Sequence, residues 1–205
     1  MKVLMINGSP RKNGNTSVAL AEMEKIFLSE GIEVETVQIG GMDVRGCAAC
    51  GYCKKNGKCV FDDVVNELAP KFAECDGLVV GSPVYYASAS GGLVSFMDRV
   101  FYSGGKNLAY KPAAAVVSCR RAGAATTFDV INKYFTINNM PVVGSNYWNE
   151  IHGNTAEEAA QDEEGLQTMR MLGNNMAWLL KCIELGKQAG IAPERERKIM
   201  TNFIR

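Results

Sequence analysis

The sequence contains little proline and carries no net charge. Only 6 of its 205 residues are proline and 21% are charged, while 47% are hydrophobic. These values exclude a collagen-like chain and a largely disordered one. Lys plus Arg and Asp plus Glu each number 22, so no net charge is available to attract nucleic acid or an anionic membrane. We therefore expect no nucleic-acid partner.

Long hydrophobic runs are also missing. The apolar run near the amino terminus covers only residues 3–6, which is too short for the apolar region of a signal peptide. No stretch approaches the roughly 18 apolar residues that a membrane span needs. We therefore expect a cytoplasmic protein that has no membrane partner. A length of 205 residues favours one large domain over two.

The cysteines are numerous and unevenly placed. There are 7, an odd number, and four of them lie between Cys47 and Cys59. This crowding argues against a disulfide framework and favours a metal or redox site in a reducing compartment. The remaining three, Cys75, Cys119 and Cys182, are scattered, and we expect them to be small buried hydrophobic residues.

Short apolar runs alternate with longer segments of helical periodicity, which predicts an α/β fold, a parallel sheet with helices on both faces. The second run alternates apolar and polar residues, so it is expected at an edge of the sheet. A flavodoxin-like three-layer sandwich with strand order 2-1-3-4-5 fits better than a six-stranded dinucleotide fold. The five predicted strands are residues 3–6, 34–39, 78–80, 113–117 and 141–143.

Helical periodicity is clearest in three segments. The stripe of Leu93, Phe96, Met97, Val100 and Phe101 predicts an amphipathic helix, which serves either as core or as a contact between subunits. A shorter pattern covers residues 128–135, and a last long helix covers residues 166–183 and is expected to stop near residue 186. We assign residues 1–189 to one domain with a cysteine-rich insertion at 44–61, and residues 190–205 to a surface arm.

A polar turn follows the first predicted strand. It runs from Asn7 to Ser17, and the next helix is predicted to begin near Thr16 or Ser17. Backbone N–H groups, the helix dipole, hydroxyl groups and the charged fork of Arg11 all favour a phosphate there. The turn contains neither G-x-G-x-x-G nor G-x-x-x-x-G-K-S/T, so a monophosphate fits better than a nucleotide chain. The alternative is an ordinary turn and helix cap.

Two further loops belong to the same edge of the predicted sheet. After the third strand, Tyr85 and Tyr86 follow Pro83 and form a stiff shelf for a planar ring, or else merely cover the core. After the fourth strand, Arg120 and Arg121 either pair with an anionic group of a ligand or remain solvated.

Two of these loops together resemble a known family. The patterns S-x-R-x-x-G-N-T-S at residues 9–17 and S-P-V-Y-Y at residues 82–86 are similar to those of NAD(P)H-dependent FMN reductases of the flavodoxin-like superfamily, and the similarity extends over about residues 2–185. The resemblance implies noncovalent FMN, NAD(P)H as co-substrate, and a homodimer or homotetramer. The FMN phosphate would contact Ser9, Arg11, Asn15, Thr16 and Ser17. The flavin ring would contact or adjoin Pro83, Val84, Tyr85, Tyr86, Ser118, Arg120, Arg121 and Gly123.

The clustered cysteines Cys47, Cys50, Cys53 and Cys59 spell C-x2-C-x2-C-x5-C. Three thiolates at steps of three, with a fourth beyond a glycine turn, suit one 4Fe-4S cluster. Zinc is the alternative, although structural zinc usually uses two separated C-x2-C pairs, and the single histidine, His152, lies far away in sequence. The motif resembles that of iron-sulfur flavoproteins in the same superfamily, while other relatives keep such cysteines as free thiols.

The last polar loop, residues 147–153, contains an aromatic pair and His152. His152 is a candidate proton donor, but flavin hydride chemistry needs no protein acid, so a structural role is favoured and no catalytic side chain is assigned. The expected function is electron transfer from NAD(P)H through FMN to an electron carrier, or to a small oxidant such as a quinone if no cluster is present. The competing hypotheses are a flavin electron carrier or regulatory module without a nicotinamide site, and a zinc-stabilised scaffold.

Overall fold

A computed structural model describes residues 1–197 and 199–201 of the chain, in which a sheet lies between two layers of helices. The strands are β1 (Lys2–Asn7), β2 (Glu33–Gln38), β3 (Gly77–Tyr85), β4 (Ser88–Ala89), β5 (Ala113–Cys119) and β6 (Glu150–His152). The helices are α1 (Asn15–Ser29), α2 (Tyr52–Asn56), α3 (Val64–Glu74), α4 (Gly91–Gly104), α5 (Ala124–Ile137), α6 (Ala156–Ala159) and α7 (Glu163–Gln188). Part of the predicted arm, residues 198 and 202–205, lies outside the described residues.

The sheet has the strand order β2-β1-β3-β5-β6, and all of these strands are parallel. The short strand β4 pairs antiparallel with the end of β3. With β4 set aside, this is the flavodoxin-like order 2-1-3-4-5, so the predicted fold is confirmed. The edge position predicted for β2 is also confirmed, and none of its residues is fully buried.

The core is divided between the two faces of the sheet. Successive side chains of a strand point to opposite faces, so Leu4 and Ile6 of β1 pack with α3, α4 and α5, whereas Val3 and Met5 pack with α1 and α7. Because helices cover both faces, the central strands β1, β3 and β5 contain uninterrupted runs of apolar residues, such as residues 3–6 and 113–117. In the described part of the chain, no helix is long and apolar enough to cross a membrane.

The apolar stripe of α4 is buried over all five of its predicted positions. Of the two roles predicted for it, core is therefore the one observed, and the homo-oligomer stays a prediction.

The prediction for Cys182 is wrong: it is exposed, while Cys75 and Cys119 are buried. Cys182 follows the buried Leu180 by two positions, and successive helical residues are about 100° apart, so it faces away from the core. The helix also continues two residues past Gly186.

The position predicted for the fifth strand is wrong. Within residues 141–143, only Val142 makes a bridge, to Ala113 at the start of β5. The chain then leaves the sheet and returns as β6, which pairs with the last three residues of β5, from Val117 to Cys119. Consequently the loop predicted at residues 147–153 contains the edge strand itself.

One largely buried carboxylate, that of Glu22, lies between α1 and α7. It accepts hydrogen bonds from Lys25 Nζ at 2.6 Å and Arg170 Nη1 at 2.7 Å. Burial raises the pKa of Glu22, but the two hydrogen bonds outweigh it and the pKa lies below its usual value. A lowered pKa in the folded state adds stability above the unfolded-state pKa of about 4.3, and that stability is lost as the pH falls through the folded-state pKa.

We therefore expect Glu22→Gln to lower the free energy of unfolding at pH 7 by about 1 kcal/mol. The variant should also lose less stability than the wild type when the pH falls below about 4.3. Urea unfolding at pH 7 and pH 3.5 measures both effects, with Glu24→Gln on the same helix as control. Equal acid sensitivity of the Glu22 variant and the wild type would contradict this assignment.

Candidate functional site

The turn between β1 and α1 leaves a helix amino terminus open. Helix α1 begins after Gly14 with no side-chain cap and no acidic residue in its first turn. The turn before it is closed internally: the Ser9 N–H donates to Asn7 Oδ1 at 2.9 Å, and the Arg11 N–H donates to Ser9 Oγ at 3.2 Å. The open N–H groups and the positive end of the helix dipole therefore suit a phosphate.

Three neighbouring segments hold this phosphate turn in place. The Gly8 N–H donates to the carbonyl of Gly81 in β3 at 2.8 Å. The Ser90 hydroxyl, just before α4, donates to the Gly8 carbonyl at 2.9 Å. On the third side, Gly40, which lies just after β2, packs directly against the backbone of Ser9. A Cβ atom added at Gly40 would lie 1.9 Å from the Ser9 carbonyl oxygen. The backbone of the turn is thus fixed by contacts from distant parts of the chain.

The segment predicted as a loop after β3 is a hairpin. Strand β3 continues to Tyr85, the chain turns at Tyr86, and β4 returns antiparallel. Tyr86 is fully exposed and has a φ of 57°, a left-handed conformation that is uncommon for tyrosine. Inside the hairpin, the Ser90 N–H donates to Ser82 Oγ at 3.2 Å. The hairpin therefore forms a fixed wall beside the phosphate turn.

Most of the predicted flavin-binding residues line one cavity of about 200 Å³. They are Ser9, Arg11, Asn15, Thr16, Pro83, Val84, Tyr85, Ser118 and Arg120. The lining is completed by three residues that were not predicted from the sequence, Cys119, Gly153 and Asn154. The last two directly follow β6, and correct placement of that strand would have identified them. None of the described residues that line the cavity carries a carboxylate, so the cavity suits an anionic ligand.

The other four predicted residues lie outside this lining. The Ser17 hydroxyl donates to the Lys12 carbonyl and accepts from Asn7 Nδ2, so it closes the turn. Tyr86 and Arg121 are exposed side chains. Gly123 precedes α5 with a φ of 90° and packs behind the hairpin. Their predicted contacts with a flavin remain predictions.

Neutral polar groups form the deeper part of the cavity. Thr16 Oγ1 and Ser118 Oγ lie 2.8 Å apart and share a hydrogen bond. Asn15 Nδ2 donates to the Gly153 carbonyl, which ties α1 to the end of β6. Burial raises the pKa of the Cys119 thiol, so this side chain stays neutral near pH 7. The cavity thus combines hydroxyl groups with arginines, the donors that a sugar-like chain and a phosphate require.

A second cavity, of about 320 Å³, is lined by all four clustered cysteines together with Phe61, Arg99 and Tyr102. Among the residues that the structure describes, no three metal-binding side chains converge on the position of one ion. A single zinc ion needs each sulfur about 2.3 Å away, whereas a four-iron cluster takes one thiolate at each of its corners. Four sulfurs spread around a cavity therefore fit a cluster better than zinc.

The short helix α2 carries Cys53 into this second cavity. It lies between Gly51 and Gly57, whose φ angles are 71° and 69°. Glycine adopts this left-handed backbone readily, so the chain can reverse direction both before and after α2. The Gly57 N–H donates to the Cys53 carbonyl at 2.9 Å. The two glycines therefore bring cysteines from both sides of α2 to one cavity.

Helix α4 connects the two cavities. Its start, at Gly91, follows Ser90, which is bonded to the phosphate turn, and its Leu93 packs against Gly8. Farther along, Arg99 and Tyr102 line the cysteine cavity. Arg99 is eight residues after Gly91, which is about 12 Å along a helix axis.

The remaining predicted residues surround β6. The His152 N–H donates to Asp162 Oδ2 at 2.6 Å, and His152 Nδ1 lies 3.6 Å from the same oxygen. His152 does not line the first cavity, so its observed contacts are structural. The rings of Tyr147 and Trp148 are both exposed, with centroids 5.3 Å apart.

Comparison with known proteins adds independent findings. Residues 1–155 match the NADPH-dependent FMN reductase family. An iron-sulfur flavoprotein of Methanocaldococcus jannaschii is 38% identical over 192 residues, which cover 90% of this chain and 100% of that protein. One from Methanosarcina thermophila is 32% identical over 188 residues, which cover 90% and 97%. The structure of RosB with bound 8-demethyl-8-formylriboflavin-5'-phosphate aligns with a TM-score of 0.71 at 15% identity, over 99% of this chain and 92% of RosB, a likeness of fold.

Proposed function

Because the chain belongs to the NADPH-dependent FMN reductase family, we propose that it passes electrons from NADPH or NADH through FMN and a 4Fe-4S cluster to a one-electron carrier. The observation that carries this proposal is the cavity lined by Cys47, Cys50, Cys53 and Cys59. Helix α4, which also supports the phosphate turn, contributes Arg99 and Tyr102 to the lining of this cavity. The relatives named as iron-sulfur flavoproteins support the same assignment.

Different residues hold FMN and the cluster. Arg11 and the open end of α1 bind the FMN phosphate, and Pro83, Val84 and Tyr85 support the flavin ring. The four cysteines ligate the cluster. When bound, FMN supplies hydride acceptance from a nicotinamide and the cluster supplies one-electron transfer. The protein positions both groups and limits the access of water.

The cluster decides the class of electron acceptor. A hydride brings two electrons, and an iron-sulfur cluster passes electrons singly, so the acceptor in this proposal is a one-electron carrier. A chain with FMN but without iron would instead reduce a two-electron oxidant such as a quinone. The two acceptor classes are therefore separated by the metal content of the protein.

Anaerobic purification followed by flavin, iron and sulfide analysis tests the proposal. We expect FMN absorbance, about four irons and four sulfides per chain, and bleaching of the flavin by NADPH or NADH. A colourless protein that takes up no added FMN would overturn the proposal. A coloured protein that reacts with neither nicotinamide would indicate an electron carrier, and bleaching without iron would indicate a small oxidant as acceptor.

Arg11→Ala should weaken FMN binding by about 1 to 3 kcal/mol, because a charge-assisted hydrogen bond to the phosphate is lost. The matched control is Lys12→Ala, which removes an exposed cation next to Arg11 that does not line the cavity. Titration of apoprotein with FMN, followed by flavin fluorescence, measures both dissociation constants. If the two variants bind equally well, Arg11 does not contact the phosphate.

A further inference from the structure

Arg99 is a charged residue within the buried apolar face of α4. Its side chain is 0% exposed, and its neighbours Met97 and Val100 belong to the core. A buried charge is strongly unfavourable unless it is paired and hydrogen-bonded. The partners of Arg99 therefore indicate why an arginine stands at this position.

All five N–H groups of the Arg99 guanidinium have acceptors. Nη1 donates to Asp63 Oδ2 at 2.7 Å and to the Arg45 carbonyl at 3.3 Å. Nη2 donates to Asp63 Oδ1 at 2.8 Å and to Cys59 Sγ at 3.3 Å. Nε donates to the same Cys59 sulfur at 3.3 Å. One edge of the planar guanidinium, formed by Nη1 and Nη2, thus binds a carboxylate, and the edge formed by Nε and Nη2 directs two donors at one sulfur.

Cys59 is also held through its backbone. Its N–H donates to Asn66 Oδ1 at 2.9 Å, and Asn66 Nδ2 donates to its carbonyl at 3.1 Å. No donor within the described ranges reaches the sulfurs of Cys47, Cys50 or Cys53. Cys59 is therefore the one cysteine of the four whose sulfur is oriented before any ligand binds.

Stability alone does not account for this arrangement. Apolar residues that replace a buried ion pair are often neutral or stabilising, and a stripe of apolar residues already surrounds Arg99. A thiol sulfur is only a weak hydrogen-bond acceptor, so two N–H donors gain little stabilisation from a neutral thiol. The same two donors suit the sulfur of a thiolate that binds metal. Hydrogen bonds from outside the ligand shell orient such a ligand and shift its electronic properties.

We propose that Arg99 is a positioning residue of the cluster site, which orients Cys59 and raises the reduction potential of the bound cluster. This inference rests on the proposed function. In that function one electron passes from the reduced flavin to the cluster, no bond forms or breaks, and the cluster gains one negative charge. Hydrogen bonds to a ligand sulfur favour the more negative state and so raise the potential.

The test compares the holoprotein with Arg99→Met and Asp63→Asn, loaded with cluster anaerobically and titrated by spectroelectrochemistry. Arg99→Met removes both donors to Cys59, so the potential should become more negative. Asp63→Asn removes the carboxylate that neutralises Arg99, so the potential should become more positive. Arg99→Lys keeps the charge but not the fork, so its potential should lie between those of Arg99→Met and the wild type. Shifts of opposite sign exclude a merely structural effect, which would lower cluster content in both variants.

Arg170→Met is the matched control, since it removes an arginine paired with Glu22 on the opposite face of the sheet and should leave the potential unchanged. If Arg99→Met fails to hold iron, the positive shift of Asp63→Asn decides the question, and no shift there overturns the inference. Unchanged potentials in both loaded variants also overturn it. A wild-type protein that takes up no iron or sulfide refutes the proposed cluster itself, which is a distinct failure.

Discussion

Alanine at position 40 should weaken FMN binding by about 2 to 4 kcal/mol, roughly 30-fold to 1000-fold. The added Cβ would lie 1.9 Å from the carbonyl oxygen and 2.0 Å from the carbonyl carbon of Ser9. Both atoms belong to backbone, which cannot rotate away as a flexible side chain does. The phosphate turn must therefore shift, and hydrogen bonds to a charged group, each worth about 1.5 to 3 kcal/mol, lose their geometry.

Gly144→Ala provides the control for this substitution, because a Cβ at Gly144 meets no atom within 4 Å. Dissociation constants for FMN are compared by fluorescence titration, and circular dichroism establishes that both variants are folded. Gly40 is at the edge of the sheet, so we expect the core to survive the change. Wild-type FMN affinity in a folded Gly40→Ala protein would mean that the turn does not hold the phosphate.

Cys53→Ser should remove iron and sulfide almost completely while leaving bound FMN and the fold intact. A serine oxygen is a poor substitute for a thiolate on iron, and three remaining cysteines leave one corner of a cubane cluster without its ligand. The domain should tolerate the change because α2, which carries Cys53, has no buried residue. Iron and sulfide analysis, flavin absorbance and thermal unfolding measure the three expectations.

Cys182→Ser is the appropriate comparison, since Cys182 is an exposed cysteine on α7 outside the cysteine cavity. It should keep the wild-type content of iron, sulfide and FMN. In the Cys53 variant, NADPH or NADH should still bleach the flavin, whereas reduction of a one-electron carrier should fail. Full iron content in that variant would remove Cys53 from the ligand set.

Features that depend on local sequence were predictable. The apolar runs at residues 3–6, 34–39 and 113–117 are long enough to indicate β1, β2 and β5, and the short run at residues 78–80 lies within the nine-residue strand β3. Strand β6 is different, because it has three residues and Ile151 is its only fully buried one. The apolar run at residues 141–143 was a stronger signal, although it only touches the end of the sheet. The hairpin turn was hidden because a tyrosine occupies its left-handed position.

The candidate site divides in the same way. The phosphate turn and the cysteine cluster are each formed by one short segment of the sequence, so their chemistry could be predicted without a structure. The roles of Gly40 and Arg99 depend on contacts with Ser9 and Cys59, which lie 31 and 40 positions away in the chain. A glycine after a strand and an arginine in an apolar helix carry no signal of such contacts.

The segment from Ser90, just before α4, to Tyr102 within α4 has a consequence for thermal unfolding of the protein. Since one continuous helix borders both the phosphate turn and the cysteine cavity, its melting would release FMN and the proposed cluster in a single cooperative event. Heating should therefore raise flavin fluorescence, as FMN is released, and bleach the iron-sulfur absorbance together, with one midpoint.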